Sequence, residues 1–387
     1  MSEKSKWNFS ELNELASEKN GGKVIFATDE WFAAADNLLK DDEPVWKEGI
    51  YTNYGKWMDG WETRRKRCAG HDWAIIALNS PSIIKGFCVD TAYFTGNYAP
   101  RVSIQAAQLY ENELKLFPVR SASFKAGVAA SKDNLTQIES LRTDEWTTIL
   151  PMSKLEAGYE STRRNYFPAF NSHQSWTHLR LNLYPDGGIA RLRVYGRIVP
   201  PLRIPKFISE LVDLIARENG GVCEKYSNAH YGHPRNLIKN ENGVGMFDGW
   251  ETARRLDRPA IIQVDNSGIL QIPGEEWAIF KLGYVGLIEK IIIDTFHFKG
   301  NFPDNVKIEG TFISCRDDII ADHHDALWQT ILPKKKLHPH KSHVYLSNDL
   351  LWCGPVSHIR IIISPDGGIS RLRIWGYVYY SGSENSI

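Results

Sequence analysis

Two copies of Asp-Gly-Trp-Glu-Thr, at 59–63 and 248–252, each place two carboxylates around a tryptophan and run at once into arginines: Arg64, Arg65 and Arg67 in the first, Arg254 and Arg255 in the second. A carboxyl group against an apolar wall can keep a raised pKa and serve as a general acid. Guanidinium neighbours can hold an anionic substrate or keep a second carboxylate ionised. That chemistry makes Glu62 and Glu251 candidate acid–base residues, with Asp59 and Asp248 orienting them and Arg65 and Arg254 within reach of substrate. The same pattern also suits a glycine turn with a core tryptophan and surface ion pairs.

A second pair of blocks, Pro185-Asp186-Gly187-Gly188 and Pro365-Asp366-Gly367-Gly368, lies between stretches that alternate apolar and polar residues, Leu179, Leu181 and Leu183 before the first and Leu192 and Val194 after it. The alternation predicts a hairpin with the glycines at its tip. In that register Arg180 opposes Arg193 and His178 opposes Tyr195, while Arg360 opposes Arg373 and His358 opposes Trp375. Directly opposed like charges destabilise a sheet, so something negative should lie over each ribbon. It is either an internal carboxylate or an anionic ligand gripped by the guanidinium forks. Asp90 and Asp294 interrupt apolar strands, and a buried aspartate either ties down a loop or works in a site. The imidazoles of His323-His324 and of His338, His340 and His343 could take a metal. They have no counterpart in the first half of the chain and sit beside Lys334-Lys335-Lys336, which favours a solvated loop. No metal ligand set is assigned.

The elements that must position these groups occur twice. Besides the blocks above, Asp90-Thr91 with Phe94 and Gly96-Asn97 returns as Asp294-Thr295 with Phe298 and Gly300-Asn301, and Trp146 with Thr148-Ile149-Leu150-Pro151 returns as Trp328 with Thr330-Ile331-Leu332-Pro333. The offset between copies runs 199 from Asn37-Leu38-Leu39 to Asn236-Leu237-Ile238, then 189, 204, 182 and 180 along the chain, so insertions and deletions fall in the loops between blocks. Two homologous domains follow, 1–198 and 206–387, joined by the proline-rich connector 199–205. Short β-branched and aromatic runs punctuated by Gly, Pro and Asn predict all-β domains of the antiparallel jelly-roll sandwich kind. One short amphipathic helix is expected at the start of each copy, near 9–19 and 206–218.

With 46 basic and 46 acidic residues in 387, the formal charge is zero, which argues against nucleic acid or a membrane as partner. The N-terminal sequence lacks the pattern of a secretory leader, and five scattered cysteines form no Cys-x-x-Cys pair. A reducing, cytoplasmic setting is expected.

The tandem copies of Asp-Gly-Trp-Glu-Thr, the Asp-Thr strand running into Phe-x-Gly-Asn, Trp-x-Thr-Ile-Leu-Pro and Pro-Asp-Gly-Gly-Ile-x-Arg-Leu-Arg together resemble the allantoicase family over residues 20–380. The resemblance implies two jelly-roll domains of galactose-binding type and hydrolysis of allantoate to ureidoglycolate and urea. It departs from strict repetition where Arg64-Arg65 is matched by Ala253-Arg254, so the two copies need not both keep a complete site. The expected ligand is a small carboxylate bearing ureido groups, the expected assembly a homo-oligomer. No cofactor is firmly implied, and a divalent metal is left open. A carbohydrate- or small-anion-binding module and a non-catalytic paralogue are the competing readings, because fold alone does not fix function.

Overall fold

A computed structural model describes residues 8–120, 124–200, 210–313, 327–352 and 354–379. The chain divides into two compact units, Met1–Val199 and Pro200–Ile387. Of the connector expected at 199–205, residues 201–205 lie outside the described residues.

Each unit is built around one 19-residue strand, Asp72–Asp90 in the first and Glu276–Asp294 in the second. The first half of Asp72–Asp90 pairs with Lys23–Ala27 and Ser175–Tyr184, and its second half pairs with Arg164–Pro168 and Arg191–Ile198. The path continues from Ser175–Tyr184 through Arg101–Ala107 to Thr147–Lys154, every pairing antiparallel. Glu276–Asp294 is flanked in the same way, by Val222–Tyr226 and Val356–Ser364 and then by Ser342–Leu346 and Arg371–Val378. Leu179, Leu181, Leu183, Leu192 and Val194 all turn into the first core, as their alternation requires. Trp61 and Trp250, fully buried, donate their indole N–H to the carbonyls of Asp29 and Asn228, each at 2.8 Å. Truncating such a tryptophan to alanine costs about 3–5 kcal/mol, so the central residue of Asp-Gly-Trp-Glu-Thr belongs to the core.

The expected hairpins do not form. Ser175–Tyr184 and Arg191–Ile198 lie on either side of Asp72–Asp90, and the Pro-Asp-Gly-Gly loop carries the chain between them. Arg180 is therefore opposite Ile75 and Gln105, and Arg193 opposite Cys88. Arg360 lies opposite Ile279 and Glu309, and Arg373 opposite Ile292. No like charges face one another at these positions, which removes the argument for a bound anion. Alternation fixes which face a side chain takes; it does not fix the partner strand.

The opening helix near 9–19 is also replaced, by 3₁₀ turns at Asn8–Glu11 and Glu18–Asn20 around the strand Asn13–Glu14. Leu15 donates to the Val194 carbonyl at 2.7 Å, and the Glu14 carboxylate accepts from Ala16 and Ser17 at 3.0 and 2.7 Å, so sheet pairing takes the amides a helix would need. In 206–218, residues 206–209 lie outside the described residues, and the rest forms the strand Val212–Asp213 and a 3₁₀ turn, Arg217–Asn219. The sequence reading missed the α-helix Lys132–Ser140 of the first unit, capped by Ser131.

Candidate active site

Glu62 ends the strand Trp61–Glu62, which pairs with Gly188–Ile189 so that Glu62 lies opposite Gly188. On its other side Glu62 donates its N–H to the Ala33 carbonyl at 3.2 Å, and Gly188 donates to the Asn97 carbonyl at 2.8 Å. The three repeated blocks are thus laced into one layer. Gly187 has φ of 125°, a region open mainly to glycine, and a Cβ on Gly188 would overlap the Phe94 ring. The lacing sets Asn97 Nδ2 to donate to Glu62 Oε1 at 2.6 Å. In the second unit Glu251 lies opposite Gly368, and Asn301 Nδ2 donates to Glu251 Oε1 at 2.5 Å.

Around that shared pair the units differ. Glu62 is buried and lines a cavity of about 380 Å³ with Phe32, Trp46, Lys56, Met58 and Tyr93. Burial pushes its carboxyl up to about 7, against the opposing hydrogen bond from Asn97. Trp46 and Lys56 come from the stretch 40–58, ten residues longer than its counterpart 239–247. The Trp46 ring lies 5.8 Å from that of Tyr93, and Lys56 Nζ stands 4.1 Å over it. Tyr93 holds φ at 67°, a left-handed backbone uncommon outside glycine and often kept where function constrains it. The groove runs on into a second cavity of about 490 Å³, sharing Trp46, Lys56, Tyr93 and Thr95 and reaching Arg163.

In the second unit the short stretch 239–247 instead bonds the side chains that correspond to the groove wall. His297, in the place of Tyr93 and with φ of 71°, bonds through Nε2 to the Gly243 carbonyl at 2.8 Å, and the Met246 sulfur lies 3.5 Å from Asn301 Nδ2. Tyr231 and Phe247, which replace Phe32 and Met58, are exposed. Glu251 is only half-buried.

The allantoicase repeat, as a family model, matches residues 13–199 and again 212–379. The chain belongs to the allantoicase family. It is 40% identical to a "Probable allantoicase" of Pseudomonas fluorescens over 96% of this chain and 97% of that one, and 38% identical to one from Pseudomonas savastanoi with the same coverage. The crystal structure of allantoicase from Saccharomyces cerevisiae superposes with a TM-score of 0.66 at 33% identity, covering 94% of this chain and 93% of that chain.

Within these allantoicase repeats, the other residues singled out in the sequence have definite places. Asp59 bonds Arg191 at 2.8 Å and Lys40 at 3.2 Å; it does not hold Glu62, whose side-chain partner is Asn97. Asp248 repeats this with Arg371 and Lys239, both at 2.6 Å. Burial pushes both aspartates up, and their hydrogen-bonded cations outweigh it, holding them below the usual carboxylate range. They stay ionised and anchor loops. Arg191 also donates to the carbonyls of Asp42 and Asp59, and Arg371 to those of Glu241 and Asp248. Arg193 and Arg373 reach loop carbonyls of Asp41 and Asn240 at 2.9 and 2.7 Å.

Arg360 pairs with Glu309 on the neighbouring strand at 2.8 Å, so an internal carboxylate meets it. Arg180 has Gln105 in that place and is held by Thr143 and Asn182, 4.0 Å over the Trp73 ring. His178 accepts or donates through Nδ1 to Thr177 at 2.8 Å, and burial lowers it to about 4; His358 pairs likewise with Ser357 at 2.9 Å. None of these side chains lines the groove. Arg65 and Arg254 are exposed. Asp90 accepts from Ala92 at 2.8 Å and pairs with Arg163 at 3.0 Å, so it ties down the turn and the arginine at the far end of the groove. The Asp294 Oδ1 oxygen is buried without a hydrogen bond among the described residues.

His338, His340 and His343 are engaged in local bonds, His343 Nε2 accepting from the His338 amide and His340 Nδ1 from the His297 amide, both at 2.9 Å. His323 and His324 lie outside the described residues. Sequence reasoning missed Asn97, Lys56, Trp46 and Arg163 as groove residues. Asn97 had a signal, its repetition as Asn301. For Trp46 and Lys56 the trace was the drop in offset from 199 to 189, which marks the loop that carries them.

Proposed function

We propose that the chain is an allantoate amidinohydrolase, splitting allantoate to ureidoglycolate and urea, with Glu62 as the proton carrier in the first unit. The observation that carries this is a buried carboxyl raised to about 7 on the wall of a cavity of about 380 Å³. A group titrating near the working pH is present in both states, as a donor and as an acceptor. In the forward reaction the bond from the central carbon to one ureido nitrogen breaks, and Glu62 protonates that nitrogen as urea departs. The lone pair of the remaining ureido nitrogen stabilises the central carbon. Water then adds its oxygen to that carbon and returns its proton to the Glu62 carboxylate, which closes the cycle with atoms balanced.

Asn97 orients Glu62 through Oε1, leaving Oε2 without a protein hydrogen bond among the described residues. Family membership along nearly the whole chain supports the substrate. Free cysteines at 68, 88 and 223 suit a reducing cytoplasm. The test is urea release from allantoate by the purified protein, with and without a chelator. Glycan binding without any turnover would overturn the enzyme reading in favour of a binding module.

A further inference from the structure

We propose that Lys56 anchors the substrate's carboxylate and so makes the site specific for a ureido acid over its neutral analogues. This rests on the functional reading above and deepens it, since the arginines that the sequence offered as carboxylate clamps are engaged away from the groove. Lys56 is the one lysine that lines both cavities, at the point where they join. It has no carboxylate within ion-pair distance among the described residues, and what holds it is the Trp46 ring at 4.1 Å. An aromatic face positions an ammonium but leaves the charge without a counter-ion.

The other cation lining the groove is already met: Arg163 has Asp90 at 3.0 Å and Glu43 beside it. A carboxylate drawn to Lys56 would sit between the two halves of the groove. One ureido arm is then directed to Glu62 and Asn97, and the other towards the Arg163 end. Lys56 also offsets the repulsion between the substrate's carboxylate and Glu62 in its ionised state. The second unit has no such residue, because its stretch 239–247 is ten residues shorter than 40–58.

The experiment compares wild type, Lys56→Met and Lys56→Arg on allantoate and on its carboxamide. A charge-assisted contact of about 1.5–3 kcal/mol corresponds to roughly 10–100-fold. Lys56→Met is therefore expected to raise KM for allantoate by at least about 10-fold, with kcat moved far less. Its preference for allantoate over the carboxamide should fall by the same factor, and Lys56→Arg should restore most of it. Lys56 is exposed, so neither change threatens the fold, and melting curves check this. A Lys56→Met enzyme with KM within about 2-fold of wild type and an undiminished preference would overturn the anchor alone. A wild type that releases no urea would instead overturn the functional reading, and the anchor with it.

Discussion

In the first unit, residues 40–58 leave the 3₁₀ turn Ala35–Leu39, form the small hairpin Tyr51–Thr52 and Gly55–Lys56, and bring Trp46 and Lys56 over Glu62. In the second, residues 239–247 take the short way, and Gly243 and Met246 bond the very groups, His297 and Asn301, that correspond to the groove wall. Beneath these loops the two units are alike, with the same glutamate–asparagine bond, the same tryptophan anchor and the same aspartate–arginine pair. Duplication has kept the scaffold twice, while the stretch that brings Trp46 and Lys56 over the glutamate belongs to the first unit. A site depends on what excludes water from the reacting group as much as on the group itself, since burial is what raises Glu62.

The largest expected effect tests the likeness. Asp59→Ala and Asp248→Ala each strand a buried arginine and should lower stability by about 3–5 kcal/mol, read from denaturant unfolding. Similar losses in both units would sharpen the equivalence of the scaffolds; a loss at one position alone would break it.

Next comes the difference. Glu62→Gln keeps size and removes the titrating proton, and should lower kcat by about 10²-fold or more, while Glu251→Gln stays within about 2-fold. Equal losses would mean that both units turn over substrate.

A smaller shift is expected from Asn97→Ala. Its hydrogen bond holds the Glu62 carboxyl down, so its removal should move the high-pH limb of kcat, where the acid form is lost, further up. Asn301→Ala should leave that limb in place.

The smallest effect is on stability against pH. Glu62 rises from 4.5 in the unfolded chain to about 7 when folded, so between those values the folded state binds more protons. Stability should fall as pH rises through that window, and Glu62→Gln should flatten the slope. An unchanged slope would show that Glu62 titrates normally and would remove the basis for its role.

Much of the site was legible before folding, and for a physical reason. Gly187, Gly188, Trp61 and Asn97 do local work, in a turn, a close approach, a core anchor and a side-chain bond, and each reappears in the second copy because the same local problem recurs. Asp59 and Arg191 were visible as types but not as a pair, since 132 residues separate them and spacing along the chain says nothing about distance across a sandwich.

Comparing the chain with itself determined the duplication, the strand-rich class and the lacing motifs, because period, turn chemistry and repetition are written in neighbouring residues. Only the tertiary structure decided that the arginine-bearing strands flank Asp72–Asp90 instead of pairing, since a strand's alternation commits its faces and leaves its neighbours open. It also decided which glutamate is buried: Glu62 is, and Glu251 is only half-buried. Glu62 and Glu251 sit in identical pentapeptides, and their difference comes from loops that precede them and fold back over one and not the other. Burial is a property of surroundings, and those surroundings are assembled from residues the motif does not contain.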